Sequence, residues 1–203
     1  MKKIFLLGVV ILIAVIGNFL DTRTAPPLSP SPQVTATIPE ATTTSAIPAN
    51  MYPVIKVVDG DTIAVLMDGK SVTLRLIGLD TPETVDPRKP VQCFGKAASD
   101  KAKEMLTGKT VRLEFDASQG TLDKYGRTLA YVFLSDPSTP LGASGTFFNE
   151  YMISAGYAHE YTYNLPYKYQ DEFKAAQKQA REEKKGLWAD GTCAGDTKKP
   201  ATS

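Results

Sequence analysis

The chain has 203 residues, with 23 Lys and Arg against 22 Asp and Glu and a formal net charge of +1. Three of the basic residues (Lys2, Lys3, Arg23) and two of the acidic ones (Asp21, Glu40) fall in the first fifty, so the remainder carries 20 of each and is formally neutral. That balance argues against a domain that holds nucleic acid by net charge, leaving local positive patches for such a partner, and a single histidine with two cysteines is too few ligands for a zinc cluster.

The chain opens on "MKKIFLLGVVILIAVIGNFLD", in which Lys2 and Lys3 precede an apolar run from Ile4 to Ile16. This reads as an export element over residues 1–20, either a cleaved signal peptide or an anchor that meets the membrane through residues 4–20. Residues 21–50 are rich in Pro, Thr, Ser and Ala and poor in large apolar side chains, the composition of a disordered spacer. A folded domain is expected over 51–190 and a tail over 191–203. In an exported domain an even cysteine count favours pairing, so Cys93 and Cys193 are expected to form a disulfide rather than remain two thiols.

Within the domain, Val54–Val58 and Thr62–Met67 are β-rich runs joined by "DGD", and the Asp-Gly of "MDGK" signals a hairpin into a third strand, Ser71–Ile77. In that strand the alternation sends Leu74 and Leu76 to one face and Arg75 to the other. Helical spacing follows over Phe94–Leu106, then strands over Thr110–Phe115 and Arg127–Leu134. A short helix within "TFFNEYMISAG" and a longer amphipathic one over Tyr167–Lys185 complete the chain. Five strands with covering helices predict an α+β, mainly β, closed barrel whose filled interior pushes any chemistry to its rim.

Three strand-end segments collect acids and arginines: "DGDT" (Asp59, Asp61), "LRLIGLDTPE" (Arg75, Asp80, Thr81, Glu83) and "DKYGR" (Asp123, Lys124, Tyr125, Arg127). Asp61, Asp80 and an oxygen of Thr81 make an oxygen-only donor set suited to Ca²⁺ or Mg²⁺. Arg75 and Arg127 have the planar fork that grips phosphate in a bidentate way, which a lysine lacks. Glu83 stands two residues beyond the metal segment, where a carboxylate can handle an attacking water. His159, with no second histidine, is expected to be structural.

The segments "VVDGDTIAV", "LRLIGLDTPE", "DKYGRTLAYV", "FNEYMISAGYA" and "EEKKGLW", in this order, resemble the staphylococcal nuclease family over about Val54 to Trp188. The resemblance implies a five-stranded OB-fold barrel with three helices and Ca²⁺-dependent hydrolysis of DNA and RNA to 3′-phosphates. It assigns Asp61, Asp80 and the Thr81 carbonyl to the metal, and Arg75, Glu83 and Arg127 to catalysis. Lys124 and Tyr125 match groups beside a terminal phosphate, and Tyr161 and Tyr163 fall near nucleotide-contacting tyrosines. Stacking of bases on such rings favours single-stranded or frayed substrate, and a monomer is expected. The competing reading is a non-catalytic OB module for nucleic acid or protein, against which the intact acids and arginines argue.

Overall fold

The computed structural model describes residues 50–88, 90–135 and 145–199. The expected export element, residues 1–20, and nearly all of the spacer lie outside these. The described residues form seven strands and three helices: β1 (Met51–Asp59), β2 (Thr62–Met67), β3 (Lys70–Leu76), β4 (Leu79–Asp80), α1 (Gly95–Leu106), β5 (Thr110–Glu114), β6 (Thr128–Leu134), α2 (Phe148–Ser154), β7 (His159–Glu160) and α3 (Gln170–Glu182), with a 3₁₀ turn at Gly186–Trp188.

Five of the strands close the expected barrel in the order β1-β2-β3-β6-β5. Met67 and Lys70 pair across the two-residue Asp68-Gly69 turn, as the hairpin signal requires. Closure depends on β3 and β6, which run parallel with Arg75 opposite Leu129. Beyond their last rung the buried Asn149 of α2 joins them, accepting from the Val132 amide and donating to the Ile77 carbonyl, both at 2.9 Å. Ile63, Val65, Leu74, Leu76, Val111 and Leu113 fill the interior, so the alternation read for β3 is the one observed.

The two strands beyond the expected five form a separate ribbon. β4 and β7 pair antiparallel, Leu79 with Glu160 and Asp80 with His159. Two-residue strands carry too few positions for alternation to mark them. Element ends also move: β1 begins three residues before the expected run, and the last helix occupies Gln170–Glu182 rather than Tyr167–Lys185. α1, α2 and α3 cover the barrel through Ala98, Ala102 and Leu106, through Phe148, Met152 and Ile153, and through Phe173, Ala176 and Ala180. Residues 191–199, expected as a tail, form turns against the start of α1. Cys193 is buried there, bonded to Cys93 and packed with Leu187, Phe94 and Trp188.

Candidate active site

Asp59, Gly60 and Asp61 form the corner between β1 and β2, and the chain leaving β3 passes this corner as Leu79–Glu83. A Cβ at Gly60 would lie 2.6 Å from Thr81 Cγ2, so only glycine lets the two segments approach this closely. The Thr81 amide donates to Asp61 Oδ2 at 3.1 Å, locking one segment to the other.

Arg75 is the hub. Its Nη1 donates to the carbonyls of Leu76 and Leu79 at 3.2 and 2.8 Å, which fixes the plane of the guanidinium. Its Nη2 lies 2.7 Å from Asp80 Oδ1 and 3.3 Å from Asp61 Oδ2, so both carboxylates gather around one nitrogen. Burial pushes the Asp80 carboxyl up; Arg75 opposes this, while the nearby Asp61 and Glu83 charges reinforce it. Burial likewise raises Asp59, outweighing its hydrogen bonds to Gly60 and Thr84, and Asp61 adds to the rise. Several acids are thus confined at one corner, a demand for cationic charge that Arg75 meets in part.

The second arginine enters from the neighbouring strand, just before β6. Arg127 is oriented by Asp123, with Nε 2.7 Å and Nη2 2.6 Å from Oδ2. Burial works to raise Asp123, but hydrogen bonds from Arg127 and Tyr125 outweigh it and hold the carboxyl below its ordinary range. Arg127 Nη1 also donates to the hydroxyl of Thr62 at 3.2 Å, and that hydroxyl donates to Asp61 Oδ1 at 2.8 Å. A continuous polar chain therefore runs Arg75, Asp61, Thr62, Arg127. Thr62 is a member that sequence reasoning missed: it was visible only as the end of "DGDT", and its role comes from sitting opposite Arg75 across the β2–β3 ladder.

Both arginines and Asp80 line a cleft of about 380 Å³, together with Lys124, Tyr125, Tyr161 and Tyr163. Tyr125, Tyr161 and Tyr163 are exposed, and Lys124 Nζ lies 5.1 and 5.8 Å from the ring centres of Tyr125 and Tyr163. The cleft thus brings together every expected substrate-side residue. Asp61, Thr81 and Glu83 adjoin this lining through Arg75 and Asp80 without being part of it. Glu83 Oε1 accepts from the amides of Val85 and Asp86 at 2.7 and 3.0 Å, so its carboxylate is oriented by its own loop. His159 packs edge-on against Trp188 at 4.8 Å, with burial and the charge of Arg181 lowering its basicity.

Among the described residues no group of three or more His, Cys, Asp and Glu side chains converges on a metal position. What is present is a pair of carboxylates, Asp61 and Asp80, beside a buried Thr81 hydroxyl that has no hydrogen-bond partner. Such an all-oxygen set, with an orphaned oxygen among it, fits a hard cation that completes its shell with water and backbone carbonyls. The unpartnered oxygen is the hydroxyl, whereas the family pattern singles out the Thr81 carbonyl.

A small closed barrel with paired arginines and acids at its rim has groups suited to binding phosphate, and comparison with known proteins narrows the class. The staphylococcal nuclease homologue family matches residues 73–190. The chain is 49% identical over 138 residues to a thermonuclease of Staphylococcus hyicus and 44% identical over 137 residues to one of Staphylococcus intermedius, in each case over 68% of this chain and 75% of the relative. It is also 36% identical over 135 residues to endonuclease YncB of Bacillus subtilis (strain 168), 66% of this chain and 59% of the relative. The chain belongs to the staphylococcal nuclease family.

Proposed function

We propose that the protein is a Ca²⁺-dependent nuclease that hydrolyses phosphodiester bonds of DNA and RNA in the cleft between β3, β6 and the tyrosine segment, leaving 3′-phosphates. The observation that carries this reading is the polar chain from Arg75 through Asp61 and Thr62 to Arg127. It presents two fixed guanidinium groups to one cleft with a carboxylate pair beside them. Thermonucleases and an endonuclease among its relatives agree with it.

In this reading Arg75 and Arg127 bind the non-bridging oxygens of the scissile phosphate, held in place by Asp80, Asp61 and Asp123. Because their orientation is set beforehand, they stabilise the added charge of the five-coordinate transition state without reorganising. Glu83 takes a proton from the attacking water as its oxygen bonds to phosphorus, and the P–O5′ bond breaks, the departing 5′-oxygen taking a proton from solvent to leave as a 5′-hydroxyl. Asp61, Asp80 and Thr81 would hold Ca²⁺, which when bound supplies Lewis-acid neutralisation of the phosphate. Lys124 and Tyr125 grip a neighbouring phosphate, and Tyr161 and Tyr163 stack on bases, favouring single-stranded or frayed substrate. The enzyme works as a monomer outside the cytoplasm, secreted or tethered through residues 1–20, a placement that the Cys93–Cys193 bond supports.

Digestion of plasmid and of RNA, with Ca²⁺ or with chelator, tests this. Glu83→Gln is expected to lose about 10²- to 10⁴-fold in rate, and Arg75→Ala about 10²- to 10³-fold. Cleavage that persists in chelator, or full activity in both variants, would overturn the reading.

A further inference from the structure

The segment bearing Glu83 is clamped from two sides. On one, Asp59 accepts from the Thr84 hydroxyl at 2.9 Å and the Thr84 amide at 3.3 Å. On the other, Gln92 and Glu83 exchange two bonds. The Glu83 amide donates to Gln92 Oε1 at 2.8 Å, and the Gln92 amide donates to the Glu83 carbonyl at 3.0 Å.

What fixes Gln92 is the residue after it. Cys93 is buried, bonded to Cys193, and its amide donates to the Lys199 carbonyl at 2.9 Å. The Gln92 carbonyl accepts from Gly95 at 3.0 Å as α1 begins. A Cβ on Gly95 would stand 3.1 Å from the carbonyl oxygens of both Pro82 and Glu83, so the helix start abuts the Glu83 segment. A free glutamine side chain loses rotamer freedom when held in one place, and a backbone already pinned by a covalent bond lets it be held there consistently.

We propose that Gln92 is a positioning residue for Glu83, and that the Cys93–Cys193 bond makes the carboxy-terminal segment 193–199 part of the active-site scaffold. This rests on the assignment of Glu83 to the attacking water. The physical reason is that Glu83 aims its carboxylate by accepting from the amides of Val85 and Asp86, so its direction follows the backbone of that turn. The Gln92 clamp sets the root of the turn. Small displacements of a catalytic group cost rate steeply while leaving substrate contacts intact.

The test uses Gln92→Ala, Gln92→Glu, Glu83→Gln and the Cys93→Ser/Cys193→Ser pair, with kinetics on an oligonucleotide and amide hydrogen exchange on the metal-free protein. Gln92→Ala is expected to lower kcat about 10-fold with KM within about 2-fold of wild type, the signature of lost transition-state alignment. Gln92→Glu, which keeps an acceptor oxygen, should recover most of that loss. Exchange at Glu83, Val85 and Asp86 should quicken in Gln92→Ala and in the cysteine variant but not in Gln92→Glu. In the Glu83→Gln background, Gln92→Ala should cost nothing further, because it acts only through Glu83. Unchanged exchange in Gln92→Ala, a change in KM alone, or an equal extra loss in the Glu83→Gln background would each overturn the proposal. Full activity of Glu83→Gln by itself would instead remove the catalytic role of Glu83, and the exchange data would still report on the clamp.

Discussion

At the residue scale, one hydroxyl joins the two halves of the site. Thr62 donates to Asp61 and accepts from Arg127, so it transmits the orientation of each arginine's acid to the other. Thr62→Val keeps the shape and β propensity and removes the hydroxyl, leaving Arg127 to Asp123 alone. We expect kcat to fall about 10-fold or more, the range for loss of one preorganising hydrogen bond, with Arg127→Ala in the Thr62→Val background less damaging than in wild type. Steady-state kinetics on the four proteins of that cycle decide it. Arg75, Asp80 and Glu83 were readable in the sequence because they crowd one ten-residue stretch. Thr62 was not, since its importance arises from a cross-strand pairing and from a partner 65 residues away. The retreat of Glu83 onto its own loop was equally hidden, because nothing in residue type says which amides a carboxylate will accept.

At the element scale, the barrel strands and helices were legible through their periods. The β4–β7 ribbon and the ties between elements were not, because each tie is one polar side chain reaching across. Asp116 shows the energetic weight of such ties. Buried at the end of β5, it accepts from the Tyr131 hydroxyl and the Lys168 amide at 2.9 Å and from Ser118, so it joins β6 to the segment entering α3. Burial works to raise its carboxyl, but these donors outweigh it and hold the group below its ordinary value. Its folded value thus lies under the unfolded one of about 3.9, so its stabilisation is complete above that pH and is lost as pH falls through the lower, folded value. Melting curves from pH 6 down to pH 2 should therefore be flatter for Asp116→Asn than for wild type. At neutral pH Asp116→Ala should lower stability by about 1 to 3 kcal/mol, since it leaves the Tyr131 hydroxyl buried without an acceptor.

At the scale of the whole molecule, near-neutrality separates steering from gripping. Residues 51–203 carry equal numbers of acids and bases, so little long-range attraction draws nucleic acid in. The cations that line the cleft are Arg75, Lys124 and Arg127, and two of them are partly neutralised by Asp80 and Asp123. With at most three phosphates met by cations, the slope of log affinity for single-stranded oligonucleotide against log salt should be no steeper than about −2, at roughly −0.7 per phosphate. Binding titrations from low to high salt measure it directly, and a markedly steeper slope would mean that cations outside the cleft hold the strand. The charge balance was plain from composition; where the three cations converge was not, because they come from segments some fifty residues apart.

The β4–β7 ribbon has a consequence for how the substrate site can change. It sets Asp80 opposite His159, and the Tyr161 amide donates to the Gly78 carbonyl at 3.0 Å, so the acid of the cleft and its first tyrosine hang from the same short ladder. Past the last rung the side chains alternate: Tyr161 and Tyr163 line the cleft, while Thr162 turns to Glu160 and Gln170. The separation between the arginine–acid cluster and the tyrosine rings is therefore counted in rungs and not in loop length. A single-residue insertion or deletion here would present Thr162 in place of both aromatic rings, whereas a change of two residues would keep an aromatic face and move it along the strand by about 6 to 7 Å, roughly one nucleotide.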